Sequence, residues 1–108
     1  MKKQSEVIFA EDKLERQFYT LPNNDSLKKF LKRAIRDIQD NAFCGTHIPK
    51  RLIPKEYVKK YKINNLWKYD LPNGWRLIYS IVTPSKIEIL ALILEWFDHK
   101  NYERKFNY

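Results

Sequence analysis

Lys68, Arg76, His99, Lys100 and Tyr102 are residue types that can act together on a phosphodiester. An imidazole with an ordinary pKa of about 6.5 exchanges protons at neutral pH. Arg76 can hydrogen-bond two phosphodiester oxygens in a fork, and Lys68 can add a second positive charge where a phosphorane develops. Tyr102 can stack on a base or assist proton transfer. RNA cleavage without a metal can use this set. Each member also has an ordinary structural role open to it. His99 and Lys100 can be a solvated terminus, Arg76 a cross-strand partner of Asp70, and Tyr102 a packing residue.

The elements that must position these groups follow from the pattern around them. Pro72-Asn73-Gly74 separates Leu66–Leu71 from Trp75–Ile81, and both runs alternate large apolar with polar or mixed residues, as half-buried strands do. A two-residue turn at Asn73-Gly74 would set the aromatic face of one strand against the arginine face of the other, so that pairing is disfavoured. A three-residue loop with Gly74 in the left-handed region instead pairs Leu71 with Trp75, Asp70 with Arg76, and Tyr69 with Leu77. It also keeps Pro72 out of the ladder. Trp67, Tyr69, Leu71, Trp75, Leu77, Tyr79 and Ile81 then form one buried face. Lys68, Asp70, Arg76 and Ser80 share the other, a polar and partly cationic floor. Ile87–Leu94 is apolar on both sides, which predicts a strand in the middle of the sheet, covered on both faces and paired with the strand that holds Arg76. His99 follows it at a strand end. The tail from His99 can extend the sheet or form a helical turn, since Tyr102 and Phe106 are four residues apart.

Upstream, Ser5–Ala10 reads as a short strand and Glu11–Leu21 as an amphipathic helix. Pro22-Asn23-Asn24 breaks the chain, and Asp25 or Ser26 caps a second helix. In that helix Leu27, Phe30, Leu31, Ala34, Ile35 and Ile38 recur at helical spacing. Lys28, Lys29, Lys32, Arg33, Arg36 and Asp37 face elsewhere, as a solvated basic face. Asn41–Pro54 is an ordered connection, with a short helix over Lys55–Tyr61. The fold class expected is α+β. It is a small single domain over residues 1–108, with an N-terminal strand and helical hairpin packed on a largely antiparallel sheet.

A length of 108 residues suffices for one core without disulfides or metal. The hydrophobic fraction of 44% argues for a folded chain rather than a linker-rich one. Cys44 is the single cysteine, which excludes an intramolecular disulfide. The first residues lack the apolar stretch of a secretory signal, and no run is long and apolar enough to span a bilayer, so a cytoplasmic location without membrane attachment is the expectation. The formal charge of +8 suits an anionic partner such as nucleic acid, an acidic protein segment or a membrane surface. Lys50, Arg51, Lys55, Lys59, Lys60 and Lys62 crowd the segment that leads into the first hairpin strand, where they can line an approach to the floor and contact RNA.

Cys44-Gly45-Thr46-His47 has half the spacing of a zinc site, but with no second cysteine and only His99 as a further histidine a closed structural site cannot be completed. No glycine-rich phosphate loop, nucleophile elbow or paired metal carboxylates occurs in the sequence.

Taken together, Leu66–Leu71, Gly74-Trp75-Arg76-Leu77-Ile78-Tyr79 and Asp98-His99-Lys100-Asn101-Tyr102 resemble the RelE/ParE superfamily of type II toxin–antitoxin toxins. Asn41–Gly45 also looks like that family's connection from helical hairpin to sheet, while the N-terminal third matches only in the order of its elements. The resemblance implies a RelE/ParE-like fold and an active-site arginine at Arg76. It implies His99, Lys100 and Tyr102 as the His, basic and Tyr positions after the last strand, with Lys68 as a further site cation. It implies an endoribonuclease that cleaves messenger RNA, in the ribosome, by attack of the ribose 2′-hydroxyl, with no cofactor and no metal. A cognate antitoxin is the implied protein partner. Two departures stand out: Asp70 occupies a position where ribosome-dependent members can carry a base, and the spacing from Lys100 to Tyr102 is shorter than in some members. The alternatives within this resemblance are a ParE-like gyrase inhibitor without nuclease activity and an inactive RNA-binding module of the same fold.

Overall fold

A computed structural model of the chain describes residues 4–106. Strand β1 (Glu6–Phe9) leads into helices α1 (Asp12–Thr20) and α2 (Ser26–Asp40). Next come the two-residue strand β2 (Thr46–His47), a 3₁₀ turn at Lys50–Leu52 and helix α3 (Lys55–Tyr61). Strands β3 (Trp67–Asp70), β4 (Arg76–Val82) and β5 (Leu90–Phe97) precede helix α4 (His99–Phe106). The sheet order is β1-β5-β4-β3-β2, with β1 parallel to β5 and the other pairs antiparallel. The result is a small α+β domain with a mixed sheet. Among the described residues no helix is long and apolar enough to cross a membrane.

Local chemistry explains the helix limits. Asp25 caps α2 by accepting from the Leu27 amide at 2.8 Å, satisfying one of the free donors of the first turn. Asp98 does the same for α4, accepting from the Asn101 amide at 2.8 Å. α3 ends at Lys62, which adopts the left-handed conformation with φ 57° and donates its amide to the Val58 carbonyl. Lys28 departs from the expected solvated face: it is 7% exposed, and its Nζ donates to the carbonyls of Tyr19 (3.3 Å) and Leu21 (2.9 Å) and to Asn23 Oδ1 (3.1 Å). The end of α1 offers carbonyls with no helical partner, and a lysine on the adjoining helix is long enough to reach them.

The hairpin adopts the three-residue register. Leu71 donates to Trp75, and Asp70 and Tyr69 lie opposite Arg76 and Leu77. Asn73 (φ 62°) and Gly74 (φ 78°) both occupy the left-handed region, so the turn needs an asparagine as well as the expected glycine. Leu71, Leu77 and Tyr79 are buried against α1 and α2, with Trp67, Tyr69, Trp75 and Ile81 packed at their margin. This is the aromatic face predicted.

The opposite face corrects the expectation of a broad polar floor. Ile78 and Ser80 are fully buried there, with Leu66 and Leu94, beneath a second core built from Ile53, Tyr57, Tyr102 and Phe106. Helices α3 and α4 each carry a tyrosine on their inner side, and burying these rings outweighs leaving the sheet open. Only the end carrying Lys68, Asp70 and Arg76 stays polar. The central strand is also shifted from the expected Ile87–Leu94. Ile87 is 91% exposed, because the Ser85 hydroxyl accepts from the amides of Ile87 (3.4 Å) and Glu88 (3.1 Å) and holds them in a turn. β5 begins at Leu90, runs on to Phe97, and is covered on both faces. A bulge between Ile78 and Tyr79 sets Ile93 and Trp96 on one face and Leu94 and Phe97 on the other.

Tyr69 ties β3 to α2 by donating its hydroxyl to Asp37. Burial, then this hydrogen bond, pushes its pKa up to about 12 from an ordinary value of 10.0. The folded state therefore holds the phenolic proton more tightly than the unfolded chain. The stabilisation is complete below pH 10 and is lost as pH rises toward 12. Tyr69→Phe should flatten the alkaline fall in the urea midpoint over this window; an unchanged slope would assign the fall to other groups.

Candidate active site

Arg76 opens β4 and lies between Asp70 on β3 and Phe97 on β5. Its side chain is 19% exposed. Nη1 donates to the Gly74 carbonyl at 2.6 Å, and Cζ sits 4.8 Å from the centroid of the Tyr102 ring. Nε lies 3.5 Å from Asp70 Oδ1, an ion-pair distance without hydrogen-bond geometry, so among the described residues this buried donor has no hydrogen-bond acceptor. Lys68, paired with Thr46 and Ile78 in the ladder, brings Nζ to 5.5 Å from the same ring. Tyr102 thus has two cations over it, an arrangement its quadrupole favours. Phe106, one turn further along α4, stacks on it at 4.6 Å. At 1% exposure, Tyr102 does not present its ring for base stacking in this conformation.

His99 reaches the cluster through Gly74. A Cβ added at Gly74 would lie 3.0 Å from His99 Cβ and would be strained at a φ of 78°, so glycine favours the close seating of the start of α4 against the turn whose carbonyl holds Arg76. His99 is 61% exposed and its Nε2 is 2.7 Å from Glu103 Oε1 one turn on. Lys100 is exposed on the same turn and takes no part in the ring contacts or ion pairs of the cluster among the described residues. The structure therefore brings Arg76, Lys68 and Tyr102 into direct contact, with His99 adjacent and Lys100 outside.

The basic residues of the approach are all exposed and are spread over two elements. Lys50 and Arg51 lie on the 3₁₀ turn, Lys55 at the start of α3, and Lys59, Lys60 and Lys62 at its end. Lys60 pairs with Glu11 and lies 5.4 Å over the Tyr61 ring. The Lys60 pairing holds the Glu11 carboxyl below the usual carboxylate range.

Three participants escaped the sequence reading. Glu103 is one, although its four-residue spacing from His99 was a legible signal. The others are Tyr57 and Glu95, which meet across the second core. Tyr57 donates to the Glu95 carboxylate, and burial followed by that bond pushes the phenol far above its ordinary range. Lys105 lies 5.0 Å over the Tyr57 ring and pairs with Glu56, joining α4 to α3. Their separation in sequence left no local pattern to read. Cys44 is an exposed free thiol and the His47 ring packs 5.0 Å from Trp67; among the described residues no group of three or more His, Cys, Asp or Glu side chains is placed to hold a metal ion.

The chain is thus a small α+β protein with a cationic cluster at one end of its sheet, capped by a helix with a histidine at its start. No family model, no curated protein and no solved structure matches it.

Proposed function

We propose that this protein is a RelE-type toxin of a type II toxin–antitoxin system, an endoribonuclease acting on messenger RNA presented in the ribosome. The observation that carries the reading is the pairing of Arg76 and Lys68 over one buried tyrosine, with the Arg76 Nε donor lacking a hydrogen bond among the described residues. A phosphodiester oxygen can supply that acceptor once Asp70, 62% exposed and 3.5 Å away, swings toward solvent. The element order and hairpin register fit the RelE/ParE resemblance of the C-terminal half.

In this reading the ribose 2′-oxygen bonds to the adjacent phosphorus as its proton passes to His99. Arg76 and Lys68 stabilise the pentacovalent state, with Lys100 as a further cation at the entrance. The bond to the 5′-oxygen breaks, and that oxygen takes a proton from solvent while His99 later returns its own to solvent, leaving a cyclic phosphate and a 5′-hydroxyl. Glu103 holds His99 in place during the exchange. The partner that silences such a toxin is an antitoxin, and the site of action is the cytoplasm.

The Asp70–Arg76 pair favours a second reading, in which the same surface binds RNA without turning it over. Inducing the wild type, Arg76→Ala and His99→Ala in a permissive host, with transcript ends mapped by primer extension, separates the two. Discrete new ends that vanish in both variants are expected. Growth arrest with intact transcripts would overturn the nuclease reading in favour of an inhibitor that performs no chemistry, such as a ParE-like gyrase inhibitor. Unimpaired growth with intact transcripts would leave the binding module.

A further inference from the structure

We propose that the groove between the Lys50–Leu52 turn, the start of α3 and the last turn of α4 is a second subsite for single-stranded RNA. It takes the phosphate and sugar of a nucleotide neighbouring the one at Arg76, and in that respect the proposal rests on the nuclease reading. The groove is a cavity of about 520 Å³, lined by Arg51, Leu52, Ile53, Lys55, Lys105 and Phe106 among others. Its chemistry is divided. Arg51 and Lys55 are exposed and take part in no ion pair among the described residues. The one carboxylate in the lining, Glu56, is already taken by Lys105. The rim therefore keeps two cations free for an anion. Ile53 and Phe106 are buried behind it and Leu52 stands 37% exposed at its edge, an apolar wall suited to a sugar or an unstacked base.

Position links this groove to the cationic cluster. Phe106 lines the groove and stacks at 4.6 Å on Tyr102, whose ring carries Arg76 and Lys68. About one helical turn of α4, roughly 6 Å of rise, separates the two residues along the helix axis. A strand bound at Arg76 and continuing along α4 meets Arg51 and Lys55 next. An acidic protein segment would satisfy the same charges, but the continuity with Arg76 and Lys68 favours a polyanion that spans both places.

The test is binding of a short labelled single-stranded RNA, followed by fluorescence anisotropy over a salt series. The variants are Arg51→Gln with Lys55→Gln, and a control of equal charge, Lys13→Gln with Lys86→Gln, from exposed positions on α1 and the β4–β5 turn. The groove variant should bind about tenfold more weakly, and its slope of log K against log salt should fall by roughly 1.4, or about 0.7 for each phosphate that is no longer neutralised. The control should stay close to wild type. Equal binding and slope in the two variants, or no RNA binding by the wild type, would overturn the subsite. Displacement by oligoglutamate with no loss of RNA binding in the groove variant would overturn it in favour of an acidic protein partner. If the groove variant loses RNA while the wild type cleaves none, the nuclease reading fails and the subsite stands. Thermal melting of each variant checks that the fold is intact.

Discussion

Gly45→Ala is expected to destabilise the protein by about 3 kcal/mol or more, read as a fall in the urea midpoint at constant slope. A methyl group at this position would lie 2.5 Å from the Lys68 carbonyl oxygen and 2.6 Å from the Tyr79 hydroxyl. Neither neighbour can give way cheaply. The Lys68 carbonyl belongs to the β3 backbone, and the Tyr79 hydroxyl is held by donating to the Ala42 carbonyl at 2.8 Å and accepting from the Gly45 amide at 3.1 Å. Tyr79 is fully buried, so moving it opens the first core. The glycine is required for close approach rather than for an unusual backbone angle. Cys44→Ser, at the exposed neighbouring thiol, should shift the midpoint far less. An unchanged midpoint for Gly45→Ala would mean that the loop can lift off β3 without cost.

Arg76→Ala should lower RNA turnover by about a hundredfold or more, the loss typical of removing one donor that stabilises developing charge. The melting midpoint should move much less. Although Arg76 is mostly covered, its ion-pair partner Asp70 is largely exposed and the pair lacks hydrogen-bond geometry, so the pair contributes little to stability. This separation is what distinguishes a site residue from a packing one. Arg76→Lys should recover only part of the rate, because an ammonium cannot hold the Gly74 carbonyl and two phosphate oxygens in one fork. Equal turnover by Arg76→Ala and wild type would remove Arg76 from the chemistry.

Much of this arrangement is legible in the residues. The alternation in Leu66–Leu71 and Trp75–Ile81, together with the need to keep one apolar face, selects a single register, and that register puts Asp70 opposite Arg76. The helical spacing of Leu31, Ala34 and Ile38 places α2 on the first core in the same way. The second core is hidden for a physical reason. Tyr57, Tyr102 and Phe106 sit in short, lysine-rich helices whose apolar content is too sparse to announce a buried face. Ser80 departs from the expected polar floor because its hydroxyl finds the Asn65 carbonyl at 2.8 Å, which makes a polar residue cheap to bury. Ile87 departs from the expected strand because an apolar residue beside a strand looks like part of it, whereas the Ser85 turn takes its backbone elsewhere. In the candidate site, residue types are readable and contacts are not. The closeness of Tyr102 to Arg76 depends on α4 folding back over the sheet, and the spacing of those residues in sequence does not encode that path.

The parallel pairing of β1 with β5 has a consequence for synthesis. Glu6 pairs with Leu90, and β1, at the edge of the sheet, has no other strand beside it among the described residues. A growing chain therefore carries β1 without its strand partner until β5 has been made, and pairing so remote in sequence is slow to form. The β3–β4 hairpin can close early from local contacts, but it waits for the same strand. Tyr102 and His99 follow later still, on α4. The grouping of Arg76, Lys68, Tyr102 and His99 thus belongs only to a chain translated through α4, the last element to be made among the described residues.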